Sequence, residues 1–292
     1  MNSSNPTVAD VVVARKGDAS SARPLRRPSF RLSDIWKAPL HDLPIRDEIL
    51  YQYLPLTPSM RVMEVGPGSG FTAFRMARHV RQLTLVEVSA QNAGRLKRTF
   101  EQNLTLRSLC ADVCAPGLTE ITGNRFDAIY GLEMFEYAPD PGKCLKNFGD
   151  ALHAGGTLLL EFPNYPPEKS PGITFFRKRE ELETILRTAG FESWEIHALR
   201  LRPWARLLFS VFHERPLRAY RRWRDRNTKG KPLIYDQTWA FQSKERLSPS
   251  KLLLHSVWSV LFAGMRLGGD CFERIPLGEE IENHDLLVIA RR

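Results

Sequence analysis

The sequence VMEVGPGSG, residues 62–70, is the strongest indication of how this chain folds. It overlaps the end of a β-rich run and precedes FTAFRMARHV, residues 71–80, whose pattern predicts a helix. Three alternate glycines, Gly66, Gly68 and Gly70, let the backbone turn sharply and approach a ligand closely. The spacing differs from the Gly-x-Gly-x-x-Gly of dinucleotide-binding proteins, and no Gly-Lys-Ser/Thr of a P-loop follows.

The rest of the chain predicts an α/β fold around this loop. Patterns with helical spacing lie between short runs of β-forming residues, as in KREELETILRTAG at 178–190. Such alternation predicts a mostly parallel sheet with helices on both faces. The seven predicted strands are 61–65, 83–88, 104–109, 126–132, 156–162, 191–199 and 284–291.

Acidic residues lie at the ends of two predicted strands, at the edge where open α/β sheets bind ligands. Glu87 lies 17 residues after Gly70, where a carboxylate can accept hydrogen bonds from both hydroxyls of a ribose. Asp112 follows the third run, where a carboxylate can accept a hydrogen bond from an exocyclic amine such as that of adenine. Together with the glycine loop, these two positions favour a nucleoside-containing cofactor.

Six short pieces of sequence form an ordered set: EVGPGSG (64–70), VEVS (86–89), ADV (111–113), FDAIYGLEMFEYAPDP (126–141), LHAGGTLLLEFPN (152–164) and AGF (189–191). Because these pieces occur in the same order as in that family, the chain resembles class I S-adenosylmethionine-dependent methyltransferases. It is most similar to the small-molecule group, methyltransferase type 11, that includes the ubiquinone-biosynthesis O-methyltransferases. The resemblance covers residues 45–199 and the last strand. It implies a Rossmann-like, seven-stranded sheet and S-adenosylmethionine as the cofactor.

The resemblance also implies where each part of the cofactor binds. The methionine part would lie against Glu64 and the glycine loop, the ribose hydroxyls at Glu87, and the adenine amine at Asp112. The other residues that it places at the cofactor are Gly66, Pro67, Gly68, Gly70, Val88, Val113, Gly131 and Leu132. Each acidic residue keeps an ordinary alternative, because Glu64 could be a buried structural carboxylate, Glu87 a helix cap and Asp112 a turn residue.

The acceptor side departs from the family pattern. Related proteins often carry a Glu-His pair after the fourth strand, whose histidine can act as a base, whereas this chain has Glu136-Tyr137. Tyrosine is a poor base at neutral pH, so the catalytic candidate Tyr137 either orients the acceptor or serves packing alone. Glu136, Tyr137 and Asn164 are the candidate acceptor-binding residues, and His213 and His255 are alternative bases.

Composition predicts a cytoplasmic protein without a membrane span. The chain has 292 residues, 42% hydrophobic and 26% charged, with four cysteines, too few for a disulfide scaffold. Cys110 and Cys114 have no second pair or nearby histidine to complete a zinc site, so no metal is expected. The apolar segment 252–265 is shorter than the roughly 20 residues that cross a bilayer.

The positive charge is concentrated in one stretch. Residues 198–231 contain eleven Lys/Arg and two Asp/Glu, which accounts for the whole net charge of +9. We therefore divide the chain into a mobile basic tail (1–30), a cofactor-binding core (31–199 and 284–292) and a Trp- and Arg-rich helical cap inserted before the last strand (200–283). The cap has three alternative roles: a solvated cover of the core, a membrane-surface element that admits a lipid-like acceptor, or a phosphate-binding face for RNA.

These observations predict an S-adenosylmethionine-dependent methyltransferase. The methyl group would pass by in-line displacement to an oxygen or carbon of a small or lipid-like acceptor. The Asn/Asp-Pro-Pro-Tyr loop of DNA amino-methylation does not follow the fourth strand, where the chain reads GLEMFEY. An RNA methyltransferase that uses the basic cap and a non-catalytic cofactor-binding protein remain as alternatives.

Overall fold

The computed structural model describes residues 46–68, 70–123, 125–169, 172–211, 215, 218–219, 222 and 270–292. The predicted tail 1–30, His213, His255 and most of the predicted cap lie outside these residues. None of the helices in the described part is long and apolar enough to cross a membrane.

Helices and strands alternate from the first described residues to β6. The elements are α1 (Asp47–Tyr53), β1 (Arg61–Val65), α2 (Phe71–Met76), β2 (Gln82–Glu87), α3 (Ala90–Thr99), β3 (Leu106–Cys110), α4 (Leu118–Thr122), β4 (Phe126–Leu132), a 3₁₀ turn (Phe135–Tyr137), α5 (Pro141–Ala151), β5 (Leu152–Asn164), α6 (Arg179–Thr188), β6 (Ser193–Leu201), α7 (Pro203–Phe209), β7 (Phe272–Pro276) and β8 (His284–Arg291).

The strands form one sheet in the order β3-β2-β1-β4-β5-β8-β6-β7. The first five run parallel, whereas β8 pairs antiparallel with both β5 and β6. This confirms the α/β fold class with a mostly parallel core. The sheet has one strand more than predicted, because β7 lies in the segment interpreted as helical cap. It pairs antiparallel with β6 and so satisfies backbone groups that β6 would otherwise expose at its edge.

Two apolar layers cover the sheet. Residues of α1, α2, α3 and α7 pack on one face, and residues of α4, α5 and α6 pack on the other. Side chains two residues apart on a strand share a face, so Glu64 lies on the same face as buried Val62, Glu87 on that of Leu85, and Glu161 on that of Leu159. All three acidic side chains therefore point to the face covered by α1–α3. Glu64 and Glu87 lie near the carboxyl ends of β1 and β2, and Glu161 lies within the last residues of β5.

A buried ion pair joins α1 to α2. Asp47 lies 2.9 Å from the Arg75 guanidinium, with side-chain exposures of 0% and 7%, and also accepts a hydrogen bond of 2.8 Å from Thr72. Removing one partner of a buried pair leaves a buried charge without its counter-ion, which is strongly destabilising. The contact holds α1 against the helix that begins at the glycine loop.

Candidate active site

The glycine loop follows β1 in a conformation that suits glycine. Gly66, Gly68 and Gly70 have φ of 63°, 48° and 80°, which side-chain-bearing residues rarely adopt. A Cβ on Gly66 would lie 2.7 Å from Cβ of Met134, so the loop packs closely against the segment after β4. A Cβ on Gly68 would meet nothing within 4 Å. Gly68 therefore combines a glycine conformation with open space beside it.

Hydrogen bonds brace this loop from both sides. The N–H of Gly66 donates to the carbonyl of Val86 at 3.0 Å, and that of Gly70 donates to the carbonyl of Pro67 at 2.7 Å. Arg95 of α3 donates to the carbonyl of Gly68 at 2.8 Å, and it also interacts electrostatically with Glu87. The loop conformation is thus stabilised by backbone hydrogen bonds and by the Arg95 side chain.

Two predicted carboxylates lie beside the loop. Glu64 is 5% exposed and accepts a hydrogen bond of 2.8 Å from the buried hydroxyl of Tyr130. Glu87 is 7% exposed, and its Oε1 accepts a hydrogen bond of 2.9 Å from the N–H of Ser89. The next residue, Val88, is 70% exposed, although it follows a buried strand. The structure thus brings a buried carboxylate and an exposed apolar side chain together at the end of β2.

The segment after β3 is held from α5. Asn147 donates hydrogen bonds of 2.8 Å to the carbonyls of Val113 and Ala115. Asp112 is exposed, and its Oδ1 accepts a hydrogen bond of 2.8 Å from the N–H of Cys114, so it does form the turn that we considered as its ordinary alternative. Val113 is 7% exposed and packs in the core. One carboxylate oxygen of Asp112 is therefore engaged in the turn.

The end of β4 is crowded and strained. A Cβ on Gly131 would lie 2.8 Å from Met134 Sδ and 3.3 Å from Leu160, so no larger residue fits there without movement. Leu132 is half-buried. Glu133 has φ of 49°, in the left-handed region that costs a side-chain-bearing residue conformational energy. Such strain is typical of functional sites.

Glu136 and Tyr137 differ sharply in exposure. Tyr137 is 69% exposed, whereas Glu136 is 2% exposed. Oε2 of Glu136 has no hydrogen-bond partner among the described residues. Burial raises the pKa of Glu136 to about 7, and the charge of Glu161 adds to this effect. The predicted catalytic role of Tyr137 stays a prediction.

Glu136 belongs to a group of charged residues that we call the carboxyl cluster: Arg46, Glu133, Glu136, Glu161 and Asp285. Arg46 forms ion pairs with Glu133 and, at 3.0 Å, with Glu161. Burial nevertheless raises the pKa of Glu161 to about 7. In the sheet, Glu161 pairs with Leu132, and Asp285 pairs with Pro163. The cluster therefore lies at the ends of β4 and β5.

Sequence reasoning did not identify Glu161. The available signal was a single carboxylate in the otherwise apolar run LLLEF of β5. Its main partner, Arg46, is 115 positions away in the chain, a separation that no local pattern reveals.

Asn164 does not have the predicted acceptor-binding position. Its side chain is fully buried, and its amide nitrogen donates to the carbonyls of Phe176 and Ile281 at 2.8 and 2.7 Å. Its amide oxygen accepts a hydrogen bond of 2.9 Å from the N–H of Phe176. The role is corrected to a structural one, because the amide links β5 to two separate backbone segments.

Comparison with known proteins identifies the family. The family model described as a methyltransferase domain matches residues 41–196, which is just over half of the chain. The chain belongs to this family. It is an S-adenosylmethionine-dependent methyltransferase, which confirms the predicted enzyme class and cofactor.

Individual relatives match more than half of this methyltransferase. The ubiquinone biosynthesis O-methyltransferase of Alkalilimnicola ehrlichii is 28% identical over 171 residues, 58% of this chain and 68% of that protein. That of Xanthomonas campestris pv. campestris is 27% identical over 188 residues, 57% of this chain and 77% of that protein. Phosphoethanolamine N-methyltransferase 2 of Haemonchus contortus superposes with a TM-score of 0.50 at 17% identity, over 84% of this chain and 51% of that one. This last likeness concerns the fold.

The residues of this methyltransferase fit S-adenosylmethionine. The open space beside Gly68 would receive a ligand that approaches the backbone closely. Glu87 supplies acceptor oxygens for hydroxyl groups, and the exposed Val88 supplies an apolar surface for a planar base. The end of β2 thus combines a carboxylate suited to the ribose of a nucleoside with an apolar side chain suited to its base.

Proposed function

We propose that this methyltransferase transfers the methyl group to a hydroxyl oxygen of a small, lipid-like acceptor. The support is the relationship to enzymes named as ubiquinone biosynthesis O-methyltransferases, which include proteins of three bacterial genera. The observation that carries the proposal is the arrangement at the carboxyl edge. There the glycine loop and Glu87 lie at the ends of β1 and β2, and the carboxyl cluster lies at the ends of the neighbouring strands β4 and β5.

Each part of the site has a proposed role in binding the cofactor. The loop 66–70 and Glu64 would hold the methionine part, Glu87 would accept hydrogen bonds from the ribose, and Asp112 with Val113 would bind adenine. Val88 would cover the base, and Gly131 with Leu132 would line the cleft toward the acceptor. Bound S-adenosylmethionine supplies a methyl group that is already activated by the sulfonium. The chain mainly has to align the acceptor, exclude water and receive a proton.

The first experiment is calorimetric titration of the full chain with S-adenosylhomocysteine. Glu87→Ala removes a charged hydrogen-bond acceptor from the ribose, so we expect it to weaken binding by about 2 kcal/mol, or thirtyfold. Glu101→Ala is the matched control, because Glu101 is an exposed carboxylate beyond the C-terminal end of α3. Equal affinity of the two variants would refute the assignment of Glu87.

The acceptor is tested next, by following methyl transfer to phenols with and without an isoprenoid chain. Turnover of the lipid-like phenols supports the proposal, whereas turnover of RNA alone would replace it with the RNA alternative. Binding of S-adenosylhomocysteine without turnover of either class would favour a non-catalytic protein.

We propose in addition that the segment 200–231 contacts a membrane surface. The observation that favours it is exposed apolar surface on and just after α7, where Leu207 is 63% and Val211 is 36% exposed. Exposed arginines at 206, 215, 218 and 222 accompany them, and this combination suits an anionic lipid interface. Sedimentation with vesicles that contain anionic lipid should fall for Leu207→Asp, while binding of S-adenosylhomocysteine stays unchanged. Equal sedimentation of the variant and the wild type would contradict this contact.

A further inference from the structure

Transfer of a methyl group to a hydroxyl leaves a proton that some group must receive. The residue that corresponds to a histidine in related proteins is Tyr137, which is 69% exposed and a poor base at neutral pH. The preceding residue, Glu136, lies on the 3₁₀ turn that follows β4, just after the two residues proposed to line the cleft toward the acceptor. It is therefore the nearest carboxylate in sequence to the position of the absent histidine.

The carboxyl cluster has a buried floor and an exposed rim. Glu136 and Glu161 are 2% and 5% exposed and form the floor. Around them, Arg46 and Glu133 have side chains that are 33% and 49% exposed, and Asp285 is exposed at the start of β8. A ligand would reach Glu136 and Glu161 by passing between the solvent-exposed side chains of the rim.

The floor contains an acceptor oxygen that the described protein does not use. Oε2 of Glu136 is buried and has no hydrogen-bond partner among the described residues. Leaving a buried acceptor unsatisfied lowers the stability of the folded state, so such atoms in native structures call for an explanation. Among the described residues, Arg46 forms ion pairs with Glu133 and Glu161, so it neutralises the charge of Glu136 less directly than the charge of Glu161.

We propose that Glu136, supported by Glu161, accepts the proton of the acceptor hydroxyl during methyl transfer. This inference rests on the proposed function. The acceptor O–H bond breaks, and its electron pair stays on oxygen and forms the O–CH₃ bond. The proton moves to a carboxylate oxygen of Glu136, and the electron pair of the broken S–CH₃ bond stays on sulfur.

The surroundings of Glu136 match this task. A base works best when its pKa is near the working pH, and burial raises the pKa of Glu136 to about 7. The charged groups that act on it are Glu161 of β5 and Asp285 of β8, which raise its pKa, and Arg46 before α1, which lowers it. Glu161 is thus a positioning residue, because its negative charge makes Glu136 a stronger base.

The first test needs no acceptor. Difference infrared spectra of the full chain between about pH 5.5 and about pH 8.5 follow the loss of protonated carboxyl groups. We expect carboxyl bands that titrate near neutral pH, of which Glu136→Gln removes one. Glu180→Gln is the matched control, since Glu180 is an exposed carboxylate at the start of α6. An unchanged spectrum in Glu136→Gln would overturn the inference.

The second test compares the variants in turnover of catechol and the isoprenoid phenols. Loss of a positioned base typically lowers the rate 10²–10⁴-fold, so Glu136→Gln should lower kcat at least about 100-fold and abolish the rise of kcat with pH near neutrality. In Glu161→Gln the rise should move to lower pH with a smaller loss of kcat. A merely structural role would lower kcat in both variants without moving the pH profile, which would overturn the inference.

Binding of S-adenosylhomocysteine separates this inference from the proposed function. Both variants should bind it with wild-type affinity, because the carboxyl cluster lies on the acceptor side. If the wild type binds it but methylates none of the phenols, the proposed function fails, and this inference fails with it. If the wild type is active and Glu136→Gln keeps its rate and pH profile, only this inference fails.

Discussion

The two halves of the carboxyl edge hold their acidic side chains in different ways. On β1–β3, Glu64, Glu87 and Asp112 each accept a defined hydrogen bond of 2.8–2.9 Å from a neighbouring hydroxyl or N–H. At the ends of β4 and β5, Arg46 forms ion pairs with Glu133 and Glu161, and burial raises the pKa of Glu136 and Glu161 to about 7. The first half is suited to bind polar hydrogens, whereas the second can exchange a proton near neutral pH.

This difference agrees with separate proposed functions for the two halves, ribose binding in the first and proton acceptance in the second. Binding a ribose requires a carboxylate in a fixed position and needs no change in protonation. Accepting a proton requires a carboxylate whose two protonation states are close in free energy, which burial provides. The following predictions test whether cofactor binding and proton exchange can be disturbed separately.

The largest expected effect concerns a residue that belongs to neither task. Asn164→Ala removes three buried hydrogen bonds of 2.7–2.9 Å and should lower the free energy of unfolding by about 3 kcal/mol. Urea unfolding measures this loss, and Gln102→Ala, an exposed amide, is the control. The affinity of the folded Asn164→Ala protein for S-adenosylhomocysteine should stay at the wild-type value. A stable variant that has lost only turnover would restore the acceptor-binding role.

The next effect isolates cofactor binding. Gly68→Ala places a methyl group in the open space beside the loop, so we expect binding of S-adenosylhomocysteine to weaken about thirtyfold. Gly155→Ala is the matched control. Its φ of 77° carries similar backbone strain, and its Cβ also meets nothing within 4 Å. If calorimetry gives the two variants the same affinity, Gly68 does not border the ligand.

Proton exchange should appear as a pH dependence of stability. Glu136 has a pKa of about 7 when folded, against a usual value of 4.5, so the folded state binds its proton more tightly than the unfolded state. Its protonation favours folding fully below about pH 4.5, and this advantage is lost as the pH rises through about 7. Between about pH 5 and about pH 8 the wild type should lose about 2 kcal/mol more stability than Glu136→Gln, measured by urea unfolding. Parallel pH dependence of the two proteins would contradict a raised pKa.

Sequence patterns predicted that the acidic residues of β1–β3 lie at the carboxyl edge, but they did not predict the contacts made at the ends of β4 and β5. The loop 66–70, Glu87 and Asp112 are local features at or just after strand ends, so their placement at one edge follows from a parallel sheet. The roles of Glu161 and Asn164 depend instead on tertiary contacts. Glu161 contacts Arg46 at a separation of 115 residues, and Asn164 bonds Ile281 at a separation of 117.

Strand β7 was not predicted from the sequence, for a related reason. FERIP, residues 272–276, is short and mixes charged with apolar side chains, so it has little strand signal of its own. It becomes a strand because β6 continues to Leu201 and offers a free edge for an antiparallel partner.

The smallest expected effect concerns Asn147 of α5, which supports the segment after β3. Its two hydrogen bonds hold the backbone of Val113 and Ala115, so Asn147→Ala should loosen the adenine end of the site and cost about 1 kcal/mol, or about fivefold in affinity. Calorimetry with adenosine should show the same loss as with S-adenosylhomocysteine, because both ligands carry the base. Lys146→Ala, an exposed position on the same helix, should leave both affinities unchanged. A loss confined to S-adenosylhomocysteine would place adenine elsewhere, and the division between the two halves would have to be redrawn.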